Sequence, residues 1–289
     1  MRKFAVIDIG SNSVRLMFVA DGKVLYKSLH TTRLGEGLAS SNRLTDAAIE
    51  RSALAVAAYF QRAKDEGAEE VFAFATAAVR SAENRQAFLD RVKILCGLSV
   101  EVISGEEEGE IGILGALGEA DGGVIDVGGA STEIVLRKNG VSFYKKSINV
   151  GVVRLKDACG REKAALNEYA KARVEEYEEF PPVKELYAIG GTATTLGAQV
   201  LGLKEYDSEK ITGAVITLEQ LQSLSDKLLN MTVEEIATLP CMPKGRADVL
   251  TGGAVWLCTV MERFGIKRLV ISDRDNLEGY AIKRGLMKI

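Results

Sequence analysis

A strand, an acidic glycine turn and a hairpin are encoded twice in this chain. Residues 6–28 read VIDIGSNSVRLMFVADGKVLYKS, and a related segment, VIDVGGASTEIVLRKNGVSFYKKS, begins at Val124. With a shift of 118 positions (126 − 8), Asp8 aligns with Asp126, and the glycine, serine, tyrosine and lysine matches that follow need no gap. Self-similarity at a fixed spacing is typical of a duplicated structural unit. The repeat therefore predicts two related halves.

The length and composition are those of two ordinary globular domains. The 289 residues compare with about 150 residues per domain, and hydrophobic residues make up 47% of the chain. No run approaches the ~18 apolar residues of a membrane span. The N-terminal apolar run is soon broken by Asp8 and Gly10, which predicts a strand entering a turn and not a signal peptide. We expect no membrane partner.

Several classes of site are disfavoured by residue counts. The four cysteines are scattered without a CxxC pair, which argues against a zinc site or a disulfide framework and favours the cytoplasm. A net charge of −3 argues against a nucleic-acid partner. The single histidine, His30, excludes sites that need two histidines from one chain. Any polyanion must therefore be held by a local site.

Strand-like runs alternate with helical ones along both halves, which predicts a mixed α/β fold. We expect two domains, residues 1–121 and residues 122–289, with the last helix (about 278–289) able to pack back on the first domain. Helical spacing is predicted over residues 44–68, 82–97, 105–120, 161–180, 192–202, 217–230, 233–240, 246–264 and 276–288.

A strand that ends in Asp-x-Gly before a small or hydroxyl residue is suited to phosphate chemistry. Glycine allows a sharp turn and close approach to a ligand, and the exposed backbone N–H groups form a concavity for anions. The aspartate can hold Mg²⁺ directly or through water. One such turn, at Asp8, could be an ordinary hairpin turn. Two turns in register over 23 positions indicate facing phosphate loops in a cleft between the halves.

Three further stretches could contribute to the same site. Gly190, Gly191 and Thr192 lie at a strand–helix junction, where a helix N-terminus favours an anion, although a glycine pair can equally serve helix packing. Arg80 follows a strand and could grip phosphate, although an arginine there is more often a surface residue. The carboxylates of residues 106–108 begin a helix and complement its dipole, and at most one need be catalytic.

At these motifs the chain resembles the exopolyphosphatase / guanosine pentaphosphate phosphatase (Ppx/GppA) family of the actin-like ATPase superfamily. The resemblance covers essentially the whole length and rests on several motifs in order: DIGSNSVRL, TAAVR, ISGEEEG, IDVGGASTE, AIGGT and LVISD. It implies duplicated actin-like (ribonuclease H-like) domains, each a mixed five-stranded sheet flanked by helices, with a cleft between the domains. A homodimer is compatible with it.

The resemblance also implies roles for individual residues. It assigns the catalytic base to Glu108, with Glu107 as the neighbour that could be confused with it, and a phosphate-gripping role to Arg80. Asp126 and Glu133, with Asp8 on the opposite loop, correspond to positions associated with Mg²⁺ or another divalent cation. The phosphate-binding positions are Gly10, Ser11, Asn12, Ser13, Gly128, Gly129, Ala130, Ser131, Gly190, Gly191 and Thr192.

Two positions depart from the family pattern. Ala130 replaces the third glycine of the second loop, which narrows the backbone angles available to it. Arg274 stands where a glycine usually follows Ser-Asp, so the geometry of that turn is open, and an extra cation could lie near a polyanion.

These observations predict an enzyme that hydrolyses the terminal phosphoanhydride of inorganic polyphosphate by Mg²⁺-assisted attack of water. Hydrolysis of guanosine pentaphosphate is the alternative with the same chemistry, and it depends on whether the cleft accepts a nucleoside. An ATP-dependent kinase of the same superfamily and a non-catalytic sensor of phosphorylated ligands are further alternatives.

Overall fold

The chain forms two β-sheets with helices packed around them. The computed structural model describes residues 2–178 and 182–288, so the predicted termini of the two domains, Met1 and Ile289, and residues 179–181 lie outside the described residues. The strands are β1 (Lys3–Ile9), β2 (Ser13–Ala20), β3 (Lys23–Thr31), β4 (Glu70–Ala75), β5 (Glu101–Val102), β6 (Gly122–Val127), β7 (Thr132–Lys138), β8 (Val141–Ile148), β9 (Glu185–Ile189), β10 (Val215–Thr217) and β11 (Arg268–Ile271).

The helices alternate with these strands. They are α1 (Leu38–Ser41), α2 (Asp46–Asp65), α3 (Ala77–Ser81), α4 (Arg85–Cys96), α5 (Gly105–Leu117), α6 (Val152–Cys159), α7 (Lys163–Val174), α8 (Gly190–Val200), α9 (Ser208–Ile211), α10 (Leu218–Leu229), α11 (Val233–Ala237), α12 (Ala247–Phe264) and α13 (Asn276–Lys283). Among the described residues, none of these helices is long and apolar enough to cross a membrane.

Local capping signals set several helix ends. The side chain of Thr45 accepts a hydrogen bond from the backbone N–H of Ala48 at the start of α2, and Gly97 ends α4 in the left-handed conformation. The helix predicted over 161–180 is shorter, because α7 ends at Val174 and a 3₁₀ turn (Glu175–Tyr177) follows. Helix α6 has no counterpart among the predicted helices. Its N-cap glycine gave no capping signal.

The duplication predicted from the repeat is visible in backbone detail. In each half a glycine donates its N–H to a serine carbonyl 3.0 Å away, Gly10 to Ser13 and Gly128 to Ser131. Both hairpin tips have positive φ angles, at residues 21–22 and 139–140. The register shifts between residues 18 and 19 in the first hairpin, and between residues 136 and 137 in the second. These pairs are again 118 positions apart (136 − 18).

The predicted fold class, duplicated actin-like α/β domains with mixed sheets, is confirmed, with one correction. The first sheet has five strands in the order β3-β2-β1-β4-β5. The second has six, in the order β10-β11-β9-β6-β7-β8, where five were expected. The additional strand β10 is three residues long and pairs antiparallel with β11 at the sheet edge. So short a strand carries almost no periodicity from which it could be predicted.

Two helices cross between the sheets. Helix α13 packs on the first sheet, where Leu277 and Tyr280 join a buried cluster with Val6 and Met17. Helix α5 packs on the second sheet, where Ile113 is buried with residues at the equivalent strand positions, 124 and 135. Helix α5, at the end of the first half of the chain, therefore covers the second sheet. Helix α13, at the end of the second half, covers the first sheet.

Glycines let these two helices touch. A Cβ atom at Gly115 of α5 would lie 1.9 Å from the carbonyl oxygen of Asp275, and one at Gly279 of α13 would lie 1.6 Å from that of Ile111. Neither position can accept a side chain without moving the backbone. The crossing holds the two halves at a close, defined separation behind the cleft.

Candidate active site

The two acidic turns line the same cavity. Asp8 and Asp126 lie near the ends of the central strands β1 and β6, and both side chains are buried. We call the cavity the phosphate cleft, after the ligand that the sequence predicts. It is lined by Asp8, Gly10, Ser11, Asn12, Ser13, Arg15, Thr76, Ala77, Glu108, Asp126, Val127, Gly128, Gly129, Ala130, Ser131, Val152, Gly190, Gly191, Thr192, Arg246, Val249 and Asn276.

The loops of the two halves are in contact. A Cβ atom at Gly129 would lie 2.8 Å from the Cβ atom of Ser11 and 3.1 Å from the backbone nitrogen of Asn12. Any side chain at Gly129 would push the loops apart, so glycine is needed for this approach. Gly151, which precedes α6, is packed more closely still, because a Cβ atom there would lie 2.5 Å from the carbonyl carbon of Gly129 and 2.6 Å from the backbone nitrogen of Ala130.

The two copies differ in charge at one aligned position. Asp8 faces Arg15 across the β1–β2 pair, and Asp126 faces Glu133 across the β6–β7 pair. Arg15 Nε donates to Asp8 Oδ2 at 3.0 Å, and its terminal nitrogens contact Asp8 and Asp275. The charge of Asp8 in the first copy is therefore neutralised by Arg15. The aligned positions of the second copy hold two carboxylates, Asp126 and Glu133.

Three carboxylates converge at the cleft: Glu108 and Asp126 line it, and Glu133 lies beside them, outside the lining. Ligand oxygens of Glu108, Asp126 and Glu133 all lie within 4.8 Å of one another, and all three residues are buried. Burial raises the pKa of Asp126 to about 8, with a further contribution from the Glu108 carboxyl. Burial likewise raises the pKa of Glu108, and raises that of Glu133 well above its usual value. This cluster needs positive charge to be stable with all groups ionised.

The donor set fits a divalent cation. Glu133 Oε2 and Asp8 Oδ1 are buried without a hydrogen-bond partner among the described residues. One oxygen each of Glu133 and Asp126 is oriented by a neutral donor: Ser147 Oγ donates to Glu133 Oε1 at 2.7 Å, and Asn276 Nδ2 donates to Asp126 Oδ2 at 2.7 Å. Carboxylate oxygens that lack a hydrogen-bond partner are the kind of ligand that Mg²⁺ prefers.

The structure distinguishes the two neighbouring glutamates. Ser104 caps α5, and Glu108, one turn into the helix, is buried in the cleft lining. Glu107 points away from the cleft lining and forms an ion pair with Lys283 of α13. Only Glu108 of this pair can contact a ligand in the cleft.

The side chain of Arg80 contacts the carboxylate of Glu108. Its Nη1 donates to Glu108 Oε2 at 2.9 Å and to the carbonyl oxygen of Ile103 at 3.0 Å. Arg80 is not part of the cleft lining. The arginine therefore orients Glu108 in this structure. Its phosphate-gripping role stays a prediction.

The third glycine junction closes one side of the cleft. Gly190 has a φ of 80°, and a Cβ atom there would lie 2.6 Å from Asp126 Oδ1. A Cβ atom at Gly191 would lie 1.9 Å from Nη1 of Arg246. Thr192 Oγ1 donates to the carbonyl oxygen of Val127 at 3.0 Å, so its hydroxyl ties α8 to the second loop. Glycine at position 190 is needed for the close packing of Asp126, and glycine at position 191 for that of Arg246.

Sequence reasoning missed four residues of the site. Arg15 and Asn276 have been described above, and Asp275, the N-cap of α13, pairs with Arg15. Arg246 is 7% exposed, and among the described residues its side chain forms only a 3.5 Å hydrogen bond, to Thr195. Burial, with the nearby Arg15, lowers its pKa to about 10. The alignment of Arg15 with Glu133 could have revealed the first, but no sequence signal identified Arg246.

The two departures from the family pattern have simple structural consequences. Ala130 is buried and its φ is not in the left-handed region, so its methyl group is accommodated. Arg274 is exposed and lies outside the cleft lining. The Ser272 hydroxyl accepts from the backbone N–H of Arg274 and donates to its carbonyl oxygen, which stabilises the turn without a glycine.

Comparison with known proteins agrees with this architecture. A family model described as the Ppx/GppA phosphatase family matches residues 19–285. "Exopolyphosphatase 2" of Mycobacterium tuberculosis is 32% identical over 314 aligned positions, covering 98% of each chain. "Guanosine-5'-triphosphate,3'-diphosphate pyrophosphatase" of Photobacterium profundum is 30% identical over 96% of this chain and 58% of that protein.

Solved structures show the same relationship. A crystal structure of a Ppx/GppA family member from Aquifex aeolicus has a TM-score of 0.80 at 30% identity and covers 99% of this chain and 98% of that one. An exopolyphosphatase-like protein has a TM-score of 0.89 at 30% identity, covering 98% of each chain. The chain belongs to the Ppx/GppA phosphatase family and is a hydrolase.

Proposed function

We propose that this enzyme removes the terminal phosphate from inorganic polyphosphate by attack of water, assisted by a divalent cation. The observation that carries the proposal is that two glycine loops suited to anions line one cleft together with Glu108 and Asp126, two members of a buried cluster of three carboxylates. A phosphoryl chain supplies the negative charge that such loops bind, and catalysis of phosphoryl transfer consists mainly of positioning and charge neutralisation. The full-length similarity to a protein named exopolyphosphatase 2 supports this substrate.

Substrate phosphates would be held by the loops around Gly10–Ser13 and Gly128–Ser131 and by the Gly190–Thr192 junction. Arg246 supports this assignment, because a buried guanidinium without an acidic partner among the described residues requires an anion to compensate its desolvation. Arg15 is already neutralised by Asp8 and Asp275 and would contribute less net charge.

Asp126 and Glu133 would hold the cation, with Asp8 on the facing loop. When bound, the cation would neutralise phosphate oxygens and the developing charge of the phosphoryl group. Asn276 and Ser147 would keep the two ligand carboxylates in place through the hydrogen bonds described above. The raised pKa values of these acids express the same need for a positive charge.

Glu108 would orient and deprotonate the attacking water. Of the three glutamates in the first turn of α5, Glu108 is the one that lines the cleft. Arg80 fixes the orientation of its carboxylate. A direct contact between Arg80 and the transferring phosphoryl group would require Arg80 to leave Glu108. The proposed roles of these two residues are therefore coupled.

Guanosine pentaphosphate hydrolysis is the second candidate. A neighbouring cavity, the inner pocket, lies between Arg15, Gly190, Gly191, Thr195, Tyr206 and Arg246. It adjoins the phosphate cleft and includes apolar side chains such as Leu29 and Pro243, which suits a nucleoside better than a phosphate. The similarity to a guanosine pentaphosphatase over 96% of this chain is consistent with it.

The deciding experiment is phosphate release measured side by side from tripolyphosphate, long-chain polyphosphate and guanosine pentaphosphate, with Mg²⁺ and with a chelator. We expect Mg²⁺-dependent release from polyphosphate. Faster release from the nucleotide would favour the second candidate. Phosphorylation of an acceptor by ATP would identify a kinase, and ligand binding without any release would identify a sensor.

Asn276→Ala is expected to weaken Mg²⁺ binding by about 10- to 100-fold, since partners that orient ligand carboxylates have effects of this size. Titration calorimetry with Mg²⁺ or Mn²⁺ in the absence of substrate measures this directly. Asn167→Ala, at a half-buried position of α7 outside the cleft lining, is the control and should bind as the unmodified protein does. Unchanged affinity in Asn276→Ala would contradict the placement of the cation beside Asp126.

A further inference from the structure

The second glycine loop, residues 128–131, is followed by a fully buried threonine. Thr132 begins β7 directly after Ser131 and is 0% exposed. Its Oγ1 donates to the carbonyl oxygen of Val150 at 2.6 Å, and its own carbonyl oxygen accepts from the hydroxyl of Tyr177 at 3.0 Å. Both of these partners are buried as well. The residue that ends the loop is therefore held through its side chain and through its backbone.

A tryptophan of the long helix α12 fixes the direction of this hydroxyl. Trp256, the single tryptophan of the chain, is fully buried and donates from Nε1 to Thr132 Oγ1 at 3.0 Å. Because an indole N–H can only donate, the Thr132 hydroxyl accepts there and directs its own hydrogen to Val150. We call this chain of two hydrogen bonds the indole link. A buried group that lost its partner here would go unsatisfied, so the link is strongly favoured.

The far end of the indole link leads to the same loop. Val150 enters α6, and the first backbone N–H groups of this helix donate to carbonyl oxygens of the loop. Val152 donates to Gly128 at 3.0 Å. Val153 donates to Gly129 at 2.8 Å. The indole link therefore joins the end of the loop to the helix that holds its beginning.

The first half of the molecule lacks this link. At the shift of 118 positions, Thr132 aligns with Val14 and Val150 aligns with Thr32 (132 − 14 and 150 − 32). The hydroxyl thus lies on the other side of the hairpin, and Thr32 Oγ1 is buried without a hydrogen-bond partner among the described residues. The repeated unit folds without the link. The link is confined to the half that has the two aligned carboxylates.

We propose that Trp256 and Thr132 are positioning residues that set the second loop for phosphate binding. The proposal rests on the proposed function, in which this loop holds substrate phosphates. Helix α12 also begins at the cleft, because its N-cap residue, Arg246, is part of the lining. One helix thus positions both a guanidinium and a loop of the same site. A shift of the loop on binding phosphate reaches the indole through Thr132.

Two substitutions break the link with little change of shape. Thr132→Val removes the hydroxyl, and Trp256→Phe removes the N–H while keeping an aromatic ring. Each is expected to weaken binding of inorganic phosphate and of tripolyphosphate about tenfold, less than the ~10²-fold that a displacement of about 1 Å can cost. The double variant should bind no more weakly than the weaker single one, because both changes break the same link. Titration calorimetry with Mg²⁺ present measures these affinities.

Thr259→Val is the matched control on α12. The Thr259 hydroxyl is also buried, but it donates to the carbonyl oxygen of Val255 within its own helix, at 2.9 Å. We expect this variant, and Thr132→Ser, which retains the hydroxyl, to bind phosphate as the unmodified protein does. Thermal unfolding is measured alongside. A lower Tm of Thr132→Val with unchanged affinity, or an equal loss of affinity in Thr259→Val, would overturn the positioning role.

The indole also reports on the loop in the unmodified protein. As the single tryptophan, Trp256 supplies the whole indole emission of the chain. Saturating tripolyphosphate is expected to change this emission in the unmodified protein and in Thr259→Val, but not in Thr132→Val. Unchanged emission in the unmodified protein, or the same change in Thr132→Val, would overturn the link between the loop and Trp256.

These measurements separate the proposal from the proposed function. Absence of phosphate release from polyphosphate by the unmodified enzyme would refute the proposed function. Affinity and emission still decide the positioning role in that case, because they need no turnover. With turnover, a raised KM for tripolyphosphate in Thr132→Val and little change in kcat would support both, since this pattern indicates lost binding shared by the ground state and the transition state.

Discussion

Glu108→Gln is expected to reduce turnover by about 10²- to 10⁴-fold while largely sparing substrate binding. The amide keeps the size of the side chain and its place on α5 but cannot accept a proton from water. Glu108 is the acid of the α5 start that lines the phosphate cleft, so no neighbouring glutamate can replace it without movement of the helix. Steady-state phosphate release, with substrate affinity measured separately, tests this expectation.

Glu107→Gln provides the matched control one residue away. Glu107 has the same chemistry and the same helical turn, but its carboxylate pairs with Lys283 away from the cleft. We expect turnover within about twofold of the unmodified enzyme, because a partly exposed ion pair contributes little. If the two variants lost activity equally, or if Glu107→Gln were the slower one, the assignment of the base would be wrong.

Gly279→Ala is expected to destabilise the fold by about 1–3 kcal/mol or more, since overpacking forces the backbone to shift. The new methyl group would lie 1.6 Å from the carbonyl oxygen of Ile111, where α13 crosses α5. The cost should appear as a fall in Tm of roughly 2–12 °C, given about 2–4 °C per kcal/mol for a chain of this size class. Thermal unfolding followed by circular dichroism measures it.

Gly252→Ala is the companion variant for this experiment. It also places a methyl group within a buried helix, α12, but the nearest atom is the side-chain Cβ of Leu155 at 3.3 Å. Alanine favours a helix interior over glycine by about 1 kcal/mol, which offsets this tight contact. We expect a Tm close to that of the unmodified protein. A loss as large as that of Gly279→Ala would show that glycine replacement in general, and not the helix crossing, is responsible.

Much of the fold could be predicted because the signals are local. The repeat at 118 positions (126 − 8) predicted two halves with the same turn, strand and hairpin, and the structure reproduces even the register shift of the hairpin in both copies. Helix α2 begins after Thr45, a residue type that favours the N-cap position. By contrast, β10 and α6 are short or lack capping signals, so periodicity could not predict them.

The site was predictable only in part. Asp8 and Asp126 were recognised by their turns, but their different surroundings were not, because Arg15 and Glu133 act through cross-strand pairing and not through their chain neighbours. Arg246 begins a helix far along the chain and lies over Gly191 through packing alone. A residue that reaches the site only through tertiary packing is not marked by any local pattern in the sequence.

Amino-acid order was enough to establish a doubled acidic glycine turn, the strands that carry it and a family of phosphatases, because these depend on short-range backbone preferences and on the spacing of identical motifs. Which glutamate enters the cleft, which half retains its negative charge and where Arg274 lies depend on contacts between distant segments. Those contacts exist only once α5 and α13 have crossed between the sheets, since it is this crossing that places Glu108 beside Asp126 and Asn276.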